Sequence, residues 1–87
     1  MTRAEIDELA DALDIKLYCL DGLDDAIIGY SPGFDGSEER VVYSYEKIIE
    51  IFVKNGMSYE EACEWVDFNV IGAKAPTNSP LIIRTSY

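Results

Sequence analysis

The sequence predicts an α+β fold in which three helices, at about residues 2–14, 45–55 and 59–72, pack on a small, mainly antiparallel sheet. Three observations predict it. Apolar residues recur at helical spacing in three segments, each preceded by a residue able to cap a helix. Four short runs rich in β-branched and aromatic residues lie outside those segments, each bounded by turn formers. The chain has 87 residues, 48% of them hydrophobic, which suits a single domain over 1–87 with a modest core.

The first helix opens with a capping-box pattern at Thr2 and Glu5, with Met1 and Ile6 spaced as a hydrophobic staple. Ile6, Leu9, Ala10 and Leu13 follow on one stripe, and Asp7, Glu8, Asp11 and Asp14 fall on the other side. Strands are expected at 16–20 (KLYCL), 25–30 (DAIIGY), 40–43 (RVVY) and 81–85 (LIIRT). The turn-rich stretch Ser31-Pro32-Gly33-Phe34-Asp35-Gly36-Ser37 joins the second and third as a hairpin.

Ser44 is the expected cap of the second helix, which carries Ile48, Ile49, Ile51, Phe52 and Val53 and stops at Gly56. So apolar a segment is expected to be largely buried. Its wet side holds Glu46, Lys47, Glu50 and Lys54, with favourable pairs at Lys47–Glu50 and Glu50–Lys54. Ser58 and Glu61 form a second capping box, with Met57 and Ala62 as its staple, so the short turn at Asn55-Gly56-Met57 folds two helices into a hairpin. Ala62, Trp65, Val66 and Asn69 mark the inner stripe of the third helix, expected to end near Gly72. Pro76 and Pro80 then frame a loop before the last strand.

Composition excludes more than it assigns. Seventeen acids against seven bases give a formal charge of −10, which argues against direct binding to nucleic-acid backbones or anionic lipid. The N-terminal segment is acidic and amphipathic, unlike a signal peptide, and the longest uncharged apolar runs, 69–73 and 80–83, fall far short of the ~20 residues that span a bilayer. Histidine is absent, which removes the commonest general base and the imidazole metal ligands. Cys19 and Cys63 lack CxxC spacing and read as small buried hydrophobes in a reduced, cytoplasmic protein, although one disulfide between them stays open.

The charge is uneven. Residues 1–39 hold eleven acids and two bases, a net of −9, while residues 40–87 hold six acids and five bases, a net of −1. Three accounts fit this asymmetry: a surface that imitates a phosphate ladder and meets a basic protein groove, a calcium site at Asp21, Asp24 and Asp25, or a solvated face that maintains solubility. Asp21-Gly22-Leu23-Asp24-Asp25 lacks the alternating ligands of an EF-hand loop, which weakens the second account.

An active site is not expected. Asp24–Asp25 and Glu60–Glu61 are sequence neighbours, so their side chains diverge on either a strand or a helix. Neither Ser31 nor Ser44 has a base in sequence reach, and neither a nucleophile elbow nor a P-loop is present. No cofactor or metal is implied. Most of the ten aromatics belong in a core, but Tyr45 and Tyr59 each follow a helix cap, an exposed place for a large ring, and Phe34 sits in a Gly-flanked loop as an expected contact anchor.

Three segments, 24–29 (DDAIIG), 42–52 (VYSYEKIIEIF) and 56–73 (GMSYEEACEWVDFNVIGA), with the tail at 80–82, resemble a group of small bacteriophage and prophage proteins. They cover just under half of the chain, and the last long segment is the most specific. The group places an aromatic and a glycine shortly after the terminal Gly-Ala, where this chain has Lys74-Ala75-Pro76. The resemblance implies a phage setting without assigning chemistry. Small acidic phage proteins often inhibit CRISPR effectors or restriction enzymes, or modulate host transcription. The expectation is therefore a cytoplasmic accessory protein that binds a host protein with a basic surface, without direct nucleic-acid or membrane contact. Its expected contact residues are Asp7, Glu8, Asp11, Asp14, Asp21, Asp24, Phe34, Asp35, Glu38 and Glu39. The alternative is a structural or assembly protein that self-associates, as a homodimer for example, through a tyrosine-rich face.

Overall fold

A computed structural model describes residues 1–33, 38–68 and 79–85. Among these residues the chain forms α1 (Arg3–Leu13), a 3-10 turn (Asp24–Ala26), β1 (Ile27–Ser31), β2 (Arg40–Ser44), α2 (Tyr45–Lys54), α3 (Tyr59–Val66) and β3 (Leu81–Ile83). The class is α+β. After Val66 the backbone widens into a π-type turn at Asp67 and Phe68; the expected stripe residue Asn69 and the expected helix end near Gly72 lie outside the described residues.

Local chemistry explains the helix boundaries. At the start of α1 the Glu5 N–H donates to Thr2 Oγ1 at 3.2 Å and the Thr2 N–H donates to Glu5 Oε1 at 3.0 Å, which completes the capping box. Ser58 and Glu61 repeat the arrangement at α3 with two contacts of 3.1 Å. Helices α1 and α2 end alike. The Ile15 N–H reaches back to the Ala10 carbonyl at 3.0 Å and the Met57 N–H to the Phe52 carbonyl at 3.1 Å, the Schellman pattern. The left-handed residue that makes this possible is Gly56 at φ 107 after α2, but Asp14 at φ 53 after α1.

The sheet is mixed rather than mainly antiparallel. Its order is β1-β2-β3; β1 runs antiparallel to β2, as the hairpin expectation requires, but β3 runs parallel to it. The cause is the junction at Ser44, which ends β2 and also caps α2, its Oγ accepting the Lys47 N–H at 3.2 Å. The chain thus leaves β2 through two helices, and a long crossover permits re-entry in the same direction, which a tight hairpin cannot. The expected strand at 16–20 does not form. This run instead lays Leu17, Cys19 and Leu20 against the core, and the Leu20 N–H donates to the Tyr43 hydroxyl at 2.8 Å.

The core follows from strand and helix periodicity. Val41 and Tyr43 point inward from β2, with Val42 between them less buried. Ile48 and Ile49 of α2 and Ala62 and Val66 of α3 cover them, and Ile27, Leu23 and Ala26 close one end. Trp65 lies at the edge, its ring 4.6 Å from that of Phe52 at 61°. The α1 stripe is covered less than its pattern suggests. Only Ile6 is fully buried, at 1% exposure, whereas Leu13 is 49% exposed and Met1 is similarly open. Among the described residues no helix is long and apolar enough to cross a membrane.

Candidate functional site

The structure splits the expected acidic surface in two. On α1, Asp7, Glu8 and Asp11 are all exposed, on the side away from Ile6, and exposed Asp14 follows at the cap. Arg3 fastens this row to the next segment: its Nε meets Asp7 Oδ1 and its Nη1 meets Asp24 Oδ1, each at 3.3 Å. The two pairs raise the Arg3 pKa, the Asp7 hydrogen bond most. Asp21 is exposed in the turn leading to the 3-10 segment. Through Arg3, the α1 row and Asp24 share one surface, at the β1 start of the β1–β2 hairpin.

Glu38 and Glu39 belong to the other end. They precede Arg40, which pairs with Ser31 at the far end of β1, whereas Asp24 lies just before Ile27 at its start. Four strand steps separate the ends by roughly 14 Å, more than the ~8 Å Debye length at physiological salt. Glu38 is exposed and Glu39 half-buried. Phe34 and Asp35, the remaining expected contact residues, lie outside the described residues.

The first acidic surface is not uniformly negative. Arg3, Asp24, Asp25 and Lys47 face a cleft of ≈ 520 Å³ at the start of α1. As for the calcium account, no group of three or more acidic, His or Cys side chains among the described residues is placed to hold a metal ion.

A second feature escapes the sequence pattern. Tyr45, Ile49 and Val53 of α2, with Tyr59 of α3 and Arg84 after β3, line a groove of ≈ 510 Å³. Tyr59 is 64% exposed, as its place after a cap predicts, but Tyr45 is only 7% exposed. Tyr45 belongs to the core cluster, and the Arg84 guanidinium stacks 4.7 Å from the centre of its ring. A hydroxyl–thiol hydrogen bond with Cys63, reinforced by burial, pushes the Tyr45 pKa up to about 12. Arg84 also meets Glu46 Oε2 at 3.8 Å, and Glu46 Oε1 accepts both the Thr85 N–H at 2.7 Å and its hydroxyl at 2.6 Å. Those Thr85 bonds hold the Glu46 carboxyl below the usual carboxylate range. The segment after β3 is thereby latched to the first turn of α2.

The cysteines are free thiols, each half-buried against the core and each hydrogen-bonded to a tyrosine of the β2–α2 junction: Cys19 with Tyr43, Cys63 with Tyr45. Burial pushes the Cys19 thiol up, away from reactive thiolate character. The expected Lys47–Glu50 and Glu50–Lys54 pairs are absent from the ion pairs among the described residues, which join Arg3 with Asp7, Arg3 with Asp24 and Arg84 with Glu46. Compared with known proteins, the chain matches no family model, no curated protein and no solved structure.

Proposed function

We propose that this chain is a non-enzymatic accessory protein of phage type that acts in the host cytoplasm by binding another protein. Its partner is a nucleic-acid-handling or defence protein, of the kind engaged by anti-CRISPR or anti-restriction factors, and binding inhibits or modulates it. The observation that carries this reading is the exposed row Asp7, Glu8 and Asp11, on the side of α1 opposite its one buried anchor, Ile6. Such a row can meet a basic groove without disturbing the core, and complementary potentials would steer the encounter. Arg3 adds Asp24 to the same surface, while Glu38 and Glu39 contribute from the far end of the hairpin. The resemblance to small phage proteins supports the setting.

The test compares the tagged chain with its Asp7→Lys, Glu8→Lys, Asp11→Lys variant as baits in host lysate, washed at low and then moderate salt. A basic nucleic-acid-handling or defence protein held by the first bait, released by salt and missed by the second is the expected result. Equal capture by both baits, or capture only of proteins that ignore salt, would sink the reading.

A further inference from the structure

On α2 two rows run side by side at four-residue spacing. Tyr45, Ile49 and Val53 make an apolar row, and Glu46, Glu50 and Lys54 make a charged one. The apolar row leaves the core as it proceeds: Tyr45 and Ile49 are buried, but Val53 is 42% exposed, and the neighbouring Tyr59 ring stands out from α3. An amphipathic helix normally covers such a row with another element; here it is the wall of the ≈ 510 Å³ groove.

The charge of this groove differs from that of the chain. Among the described residues of its lining, Glu46, Glu50, Lys54 and Arg84 cancel, in a protein of net −10. Glu46 is already held by Thr85 and Arg84. Glu50 and Lys54 are exposed and form no ion pair with any described residue. An acid and a base with no ion-pair partner among the described residues, beside exposed apolar side chains, form a self-complementary patch. In a two-fold contact every residue is used twice, so the acid of each copy can meet the base of the other. A strongly basic partner fits less well, because it is drawn to the α1 surface rather than to a groove whose described lining carries no net charge.

We propose that the α2 groove is a two-fold interface between copies of this chain, in which Val53 and Tyr59 pack across the axis and Glu50 of each copy pairs with Lys54 of the other. One helix face offers a contact at the small end of specific interfaces, below about 1,200 Å² in total, so dissociation in the micromolar range is expected. The inference is independent of the α1 reading, because the two surfaces share no residue.

Sedimentation velocity on the full chain, from about 5 μM to about 500 μM, tests it. The unmodified chain should pass from monomer to dimer over that range, whereas Lys54→Glu and Glu50→Lys should each weaken association about tenfold or more. Mixing those two variants should restore it, as a heterodimer in which every acid again faces a base. Glu50→Lys is the sharper variant, since it moves the net charge from −10 to −8 and would strengthen association if overall repulsion alone controlled it. Val53→Asp, with its helical circular dichroism checked, should abolish the dimer, and the α1 charge-reversal variant should leave it intact. A chain that stays monomeric throughout, a Glu50→Lys variant that associates more tightly, or no recovery on mixing would each overturn the proposal.

Discussion

The Tyr43 hydroxyl accepts a hydrogen bond from the Leu20 N–H at 2.8 Å, so the central strand anchors a segment that joins no strand itself. Burial is the main cause that pushes the Tyr43 pKa up to about 12, so the hydroxyl is protonated wherever the protein is used. Tyr43→Phe keeps the ring and removes the acceptor, leaving a partly buried N–H without its partner. A loss of about 1–2 kcal/mol is expected in urea unfolding, together with faster amide exchange at Leu20. Unchanged exchange at that amide would mean that the segment is held by side-chain packing alone.

The attachment of α1 should depend chiefly on Ile6. Arg3 and Asp24 are both substantially exposed, with side-chain exposures of 42% and 47%, and solvent screening leaves such pairs little to contribute. Ile6→Ala removes the one fully buried side chain of the helix and should cost about 2–4 kcal/mol. Hydrogen exchange should accelerate through α1 more than through β2. Uniform acceleration would instead show that α1 unfolds only with the whole domain.

Asp14 stands where α2 has a glycine. Its left-handed backbone costs an L-residue about 1 kcal/mol, and its carboxylate adds negative charge at the C-terminal end of a helix dipole. Asp14→Gly should therefore stabilise the fold by about 0.5–1 kcal/mol, read as a higher melting temperature. The reverse experiment, Gly56→Ala, should destabilise, because φ 107 is poorly accessible to alanine.

Acid sensitivity should trace to three carboxylates. Glu5 and Glu61 are held below their ordinary value of 4.5 by their capping partners, Thr2 and Ser58, and Glu46 by Thr85. Because the folded values are depressed, the unfolded chain binds more protons through this window. The contribution of these groups is complete above about 4.5 and fades as pH falls through the lower folded values. Urea midpoints should decline from pH 6 to pH 3, and the Glu5→Gln, Glu46→Gln, Glu61→Gln variant should decline less steeply. A variant with the same slope would assign acid sensitivity to other groups.

What could be read in advance was local. Capping boxes, Schellman ends and the Ser44 cap use neighbours within a few residues, so the three helices stood where Thr2, Ser44 and Ser58 placed them. Strand identity is not local. The run at 16–20 has the composition of a strand, but it packs on the core and ends on a Leu20 N–H to Tyr43 hydroxyl bond that joins positions 23 residues apart. The direction of β3 likewise depends on the whole connection from Ser44. The acidic bias was visible in the composition, yet its division between Asp24 and Glu38 arises only when β1 and β2 pair. The α2 groove was hidden because Arg84 reaches Tyr45 across 39 positions; the visible hint was the extension of the Tyr45–Ile49 row to Val53.

The parallel pairing of β3 has a kinetic consequence. Val42 meets Leu81 across 39 intervening steps of chain, whereas Ser31 and Arg40 meet across a short connection. The entropy of closing the longer span is recovered only after the helical hairpin has docked, so β3 should zip on after the rate-limiting barrier. Leu81→Ala should then hasten unfolding with little effect on the refolding rate, while Val41→Ala, in the central strand that pairs with both β1 and β3, should slow refolding. The three-residue strand would thus act as a lock on the native state rather than as part of its nucleus.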